Sequence, residues 1–209
     1  MKQLLKFIGI VLVILAILAV IGRLFFFDIG RTDNYSMVPT IVPGDIFLFR
    51  TVGLLGTGDV AVCHNPEDPA VLVVGRIIGV PGDNIFIRDN HINLNGRVIH
   101  HNYVEPVMYF DTTTEEQMKY VVRQAEEKVG GTLFTVAFMD TTRGKNFDEV
   151  VVPQDSFFLL GDNRNMAYDS RNYGMVPISS CIGEAMFLLW GAESNGDLLQ
   201  SSRSISWIK

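Results

Sequence analysis

The sequence predicts a mainly β domain preceded by one N-terminal membrane-spanning helix, and three observations carry that reading. An uncharged apolar run occupies residues 7–22. Beyond it, short segments rich in Val, Ile and Phe recur between Gly, Pro, Asn and Asp, the pattern of strands bounded by turns. Asn95-Gly96 lies between the segments 91–94 and 97–100, and these two residues best tolerate the positive φ angles of a type I′ hairpin turn.

The span is long enough once its flanking charges reach towards headgroups. A helix over residues 4–27, rising ~1.5 Å per residue, covers about 36 Å against a hydrocarbon core of roughly 30 Å. Arg23 snorkels on its long apolar stem. No small-x-small cleavage site follows the run, which ends in Arg23 and bulky residues including Phe25, Phe26 and Phe27, so it reads as an anchor and not a removable leader. Lys2, Lys6 and the amino terminus precede the helix and Arg23 alone closely follows, which orients the N-terminus to the cytoplasm. The expected location is the cell membrane in a single pass, with membrane lipid as a partner. Residues 1–27 form the anchor segment and 28–209 an extracytoplasmic domain.

Within that domain, strands are expected at 46–49, 60–63, 71–78, 85–87, 132–138, 150–152, 157–160 and 182–189. One soluble helix is expected over 114–129, where Met118, Val121, Val122, Ala125 and Val129 form a stripe. Thr113 and Glu116 supply a capping box and Gly130-Gly131 a left-handed stop. Residues 104–149 then read as an inserted α/β cap between the segments that carry the motifs.

Charge and cysteine content narrow the function. Seventeen Lys+Arg against 23 Asp+Glu give a net charge of -6, with no basic run to neutralise a phosphate backbone, which argues against nucleic acid as a partner. Cys63 and Cys181 show no metal-ligand spacing. Packing as free thiols is the favoured reading, and a disulfide stays open for a domain in an oxidising compartment. His91, His100 and His101 surround the hairpin without a ligand pattern and are expected to face solvent. No metal and no cofactor are implied.

The chemistry-bearing residues fall in four blocks. Ser36-Met37-Val38-Pro39-Thr40 precedes Pro43-Gly44-Asp45. Gly58-Asp59 follows, then Gly75-Arg76 through Gly79-Val80-Pro81-Gly82-Asp83. The last block is Gly161-Asp162-Asn163-Arg164 with Asp169-Ser170-Arg171. A serine ahead of a Pro-containing turn is by itself usually structural. In this order and spacing, however, the blocks resemble those of the type I signal peptidases, membrane-bound serine endopeptidases that remove signal peptides from exported preproteins. The resemblance covers nearly the whole chain except 104–149.

The resemblance implies a signal-peptidase-like β domain, with Ser36 as nucleophile and its N–H as one oxyanion donor. Asn34 stands where many bacterial members place a second donor, a serine hydroxyl; its amide can also donate. Asp162, Arg164, Asp169 and Arg171 match positions that hold the site together through charge-assisted hydrogen bonds. The family's general base is a lysine directly before the block arginine, and here that residue is Gly75. Ala167 replaces the serine that orients the lysine. Lys145 and His64 are other proton acceptors in the chain, neither tied by sequence to Ser36.

Two functions follow. One is a serine endopeptidase cutting signal peptides at the outer membrane face, its substrate added as an extended strand. The other is a noncatalytic signal-peptidase-like protein that binds exported chains or assists surface assembly, because Gly75 offers no side chain to accept a proton.

Overall fold

The computed structural model describes residues 2–51, 53–104, 107–110, 119–139, 146–191 and 205–209. Helix α1 (Lys2–Phe25) leads almost directly into β1 (Phe27–Arg31). There follow β2 (Ile46–Arg50), β3 (Val60–His64), β4 (Leu72–Gly79), β5 (Asn84–Arg88), β6 (His91–Leu94), β7 (Arg97–Val98) and β8 (Asn102–Tyr103). Next come β9 (Val107–Phe110), β10 (Lys119–Val129), β11 (Thr132–Met139), β12 (Phe147–Val151) and β13 (Ser156–Leu160). The chain closes with α2 (Ser170–Tyr173), β14 (Val176–Pro177), β15 (Cys181–Trp190) and β16 (Ser206–Trp207).

The principal sheet runs β1-β2-β15-β3-β4-β13-β14, with β16 on β15. Its central strands are continuous apolar runs: Val60, Ala61, Val62 and Cys63 of β3 are all buried, as is every residue of β13, the pattern of strands covered on both faces. β2 instead alternates, with Phe47 and Phe49 inward. A second sheet joins β11, β10, β9 and β8, and a third runs β12-β5-β6-β7. The Asn95-Gly96 hairpin forms as expected, with φ of 53° and 78° and Leu94 opposite Arg97.

Residues 119–129 form a strand, which corrects the expected helix; 114–118 lie outside the described residues. β10 pairs with β11 from Val122↔Met139 to Val129↔Thr132, and Gly130 and Gly131, both at positive φ, turn a hairpin instead of ending a helix. The buried row is Ala125, Glu127 and Val129. A carboxylate in that row breaks the apolar period of two and leaves the chance spacing of the valines to imitate a helical stripe. The described part of the inserted region is therefore β, not α/β.

The cysteines are also corrected. Cys63 and Cys181, 118 residues apart in sequence, are opposed in the β3–β15 register and joined as a disulfide. Neither strand announces the other in sequence, so only the pairing brings the thiols together.

Among the described residues, three apolar clusters fill the domain. Met37, Ile41, Phe47, Phe49, Val60 and Val62 pack beneath the Ser36 turn. Ala61, Cys63, Ile77, Phe157, Leu159 and Tyr173 form a second cluster, and β10–β11 close a third over Ile78, Phe158 and Leu160. Along α1, Leu4, Phe7, Leu12 and Leu15 are exposed apolar side chains. Among the described residues no helix is long and apolar enough to cross a membrane.

Candidate active site

Ser36 sits half-buried in the turn between β1 and β2. Its neighbour Met37, 2% exposed, pins the turn into the core, and Asp45 closes the loop by accepting the Val42 N–H at 2.9 Å. Asn163 grips the turn from the other side: its N–H donates to the Ser36 carbonyl at 3.0 Å and its side-chain amide to the Tyr35 carbonyl at 3.1 Å. Gly161 permits this approach, because a Cβ there would overlap both the Ser36 carbonyl oxygen and the Ala167 Cβ.

Asn34 meets Ser36 through its side-chain oxygen. The Ser36 N–H donates to Asn34 Oδ1 at 3.0 Å, so the two expected oxyanion donors engage each other and Asn34 presents an acceptor to the nucleophile's main chain. The cause is local, since Asn side chains readily take the N–H two residues on.

Gly75 lies on β4 opposite Ala61 of β3, one residue before Arg76, which pairs with Leu160 of β13. A Cβ at Gly75 would meet the Leu159 Cβ at 3.1 Å, so Leu159 occupies the space into which a side chain would start. Ala167 is fully buried and its N–H donates to the Asn163 carbonyl at 2.9 Å. His64 Nδ1 is 2.7 Å from the Pro69 carbonyl oxygen, and Lys145 lies outside the described residues.

Two buried arginines frame the 161–164 turn. Arg76 and Asp162 are both 0% exposed, and Arg76 Nε and Nη2 donate to the two carboxylate oxygens at 2.8 and 2.7 Å. Thr40 Oγ1 also donates to Asp162, tying the end of the serine block to this pair. Arg164 donates through Nη1 to Glu127 Oε1 at 2.7 Å and through Nε to the Gly161 carbonyl at 3.2 Å. Asp169 caps α2, accepts the Gly161 N–H at 3.0 Å and pairs with Arg171, whose Nη1 donates to the Arg164 carbonyl at 2.7 Å.

This frame sets a stability prediction. Asp162→Asn leaves Arg76 buried without its counter-charge, so unfolding in urea is expected to show a loss of ~3–5 kcal/mol. A loss under about 1 kcal/mol would mean that Arg76 finds other compensation.

Sequence reasoning missed Glu127 and His101. His101, expected to face solvent, has a side chain 1% exposed, with Nε2 2.9 Å from Glu127 Oε1. It stacks on His91 with centroids 4.9 Å apart. Burial pushes the Glu127 carboxyl upward, but the Arg164 charge and the His101 contact outweigh it and hold the group below the ordinary range. A depressed carboxylate contributes stability above its unfolded value, lost as pH falls through the folded one. Wild type should therefore lose stability relative to Glu127→Gln as pH falls through the acidic range below ~4.3, the ordinary glutamate value. Denaturation midpoints at a series of pH values check this; a gap that stays constant would count against it.

Beside the Ser36 turn lies a groove of ≈ 630 Å³, floored by Phe47, Phe49, Val62, Val74 and Ile182 and bounded by β1 and Asn34. Among the described residues β1 pairs only with β2, which leaves its other edge on the rim of this groove.

Comparison with known proteins agrees with the motif blocks. The family described as "Signal peptidase, peptidase S26" matches residues 2–190. Signal peptidase I of Streptococcus pneumoniae serotype 4 is 30% identical over 195 residues, covering 90% of this chain and 94% of that one. The Bacillus licheniformis signal peptidase I is 28% identical over 184 residues, covering 86% and 85%. A crystal structure of a signal peptidase I from Enterococcus faecalis aligns at TM-score 0.38 and 23% identity over 64% of this chain and 97% of that one. The chain belongs to the signal peptidase family.

Proposed function

We propose that the protein is a membrane-anchored serine endopeptidase that removes signal peptides from exported preproteins at the outer membrane face. The observation that carries the reading is the Ser36 turn: Asn163 holds it by two main-chain carbonyls, beside an apolar groove rimmed by β1. An extended substrate added to β1 gains main-chain hydrogen bonds and lays alternate side chains into the groove. Ser36 Oγ bonds to the scissile carbonyl carbon as its proton passes to water, since Gly75 supplies no family lysine; the C–N bond then breaks, the departing amine takes up a proton, and water hydrolyses the acyl-enzyme.

Gly75 favours a second reading. Because Leu159 fills the space beside it, the site is also suited to holding an exported chain without cutting it. Incubating the full-length protein in detergent with a signal-peptide-bearing precursor separates the two. Release of the mature chain, seen by intact mass, supports the peptidase; retention of uncut precursor on the protein supports the binder.

The anchor belongs to the same proposal. The uncharged run 7–22 alone covers about 24 Å, and the snorkelling of Lys6 and Arg23 extends it to the thickness of the hydrocarbon core. The Cys63–Cys181 disulfide suits a domain outside the reducing cytoplasm. Protease added to intact spheroplasts is expected to digest the domain. Protection until the membrane is breached would reverse the orientation.

A further inference from the structure

We propose that Glu127 is a positioning residue for Ser36: its carboxylate fixes the Arg164 guanidinium and, through it, the 161–164 turn that grips the serine loop. The inference deepens the proposed function and rests on that reading only where turnover is measured.

The path is short and continuous. Glu127 Oε1 accepts from Arg164 Nη1 at 2.7 Å, while Arg164 Nε closes on the Gly161 carbonyl. Between Gly161 and Arg164 stands Asn163, whose two donors hold the Tyr35 and Ser36 carbonyls. The hairpin β10–β11 also clamps this turn with its main chain, since the Ala137 N–H donates to the Asp162 carbonyl at 2.8 Å and the Ala137 carbonyl accepts the Arg164 N–H at 2.9 Å. Glu127's cross-strand partner, Phe134, lies under the other buried arginine, with the Arg76 guanidinium 3.8 Å from the ring centroid. One pair of facing residues on the hairpin thus contacts both arginines that frame the turn.

Stability alone gives a weak reason for a carboxylate at this position. Ala125 and Val129 show what the same buried row otherwise carries, and a buried ion pair is often less stabilising than well-packed apolar residues. Among the described residues, Glu127 Oε2, Arg164 Nη2 and both His101 ring nitrogens are buried without a hydrogen bond of good geometry, Nε2 making only the 2.9 Å contact to Glu127 Oε1, so the cluster is not a fully satisfied structural network. What it does supply is a defined direction for Arg164. His101, packed against Phe138 and Tyr103, backs the carboxylate through Nε2.

Hydrogen exchange on the full-length protein in detergent, comparing wild type with Glu127→Gln and Glu127→Asp, tests this. Glu127→Gln should speed exchange of the Asn163 and Arg164 amides about tenfold while the β3 amides are unchanged, and Glu127→Asp should restore part of the protection. If the wild type turns over substrate, Glu127→Gln should lower kcat with little change in KM. Uniform acceleration across the domain, or no local change, overturns the proposal. Should Glu127→Gln fail to fold, His101→Gln must give the same localised pattern, and its absence is equally decisive. The exchange measurement needs no turnover, so an inactive wild type sinks the peptidase reading and leaves this one to be judged on exchange.

Discussion

Ser36→Ala is expected to abolish whatever cleavage of a signal-peptide substrate the wild type shows, while leaving the domain folded. The fold should survive because the contacts that hold the turn do not use the hydroxyl: Asn163 binds the Tyr35 and Ser36 carbonyls, and Met37 supplies the apolar anchor. Removing one half-buried oxygen should change stability by no more than roughly 0.5 kcal/mol. Catalysis has no such redundancy, since without the Oγ no acyl intermediate forms. Rates should be compared on variants purified to homogeneity and matched by thermal melting. Equal cleavage by the alanine variant would remove Ser36 as nucleophile and move the search to another hydroxyl at the groove.

Gly75→Lys is expected to raise turnover per folded molecule by roughly 10²–10⁴, the range over which a positioned general base contributes. Combining it with Ala167→Ser should raise it further. Position 75 directly precedes Arg76, whose guanidinium holds Asp162, so the strand register is fixed by a buried ion pair and an added amine would start from a defined place. Partial burial would lower the lysine pKa and make neutral amine available. Packing opposes the substitution. The nearest atom to a new Cβ is Leu159 Cβ at 3.1 Å, and no residue but glycine at 159 lacks that atom, so the chains must part by a few tenths of an ångström. Overpacking of this kind costs ~1–3 kcal/mol, and a lower melting temperature should accompany the faster turnover. A folded Gly75→Lys protein no faster than a wild type that already cleaves through Ser36 would show that another group takes the proton.

The sequence by itself determined whatever rests on neighbours in the chain. The Asn95-Gly96 turn is one case, because the φ preferences of two adjacent residues decide it. The apolar runs that became β3 and β13 are another, since strands covered on both faces carry little polar content. The order of the four motif blocks also needed no structure, as each is a short contiguous string.

The tertiary structure alone decided what depends on residues far apart. Residues 119–129 satisfied a helical stripe until β11 paired with them, and Glu127 could stand on the buried face only because Arg164 and His101 come to it from elsewhere in the chain. The same holds for Cys63 and Cys181, and for the Asn34 side-chain oxygen, which accepts the Ser36 N–H. A carboxylate, a thiol or an amide has no fixed role in a string of letters. Burial and the partner opposite it set that role, because removing a charge or hydrogen-bonding group from water costs several kcal/mol unless another group is there to meet it.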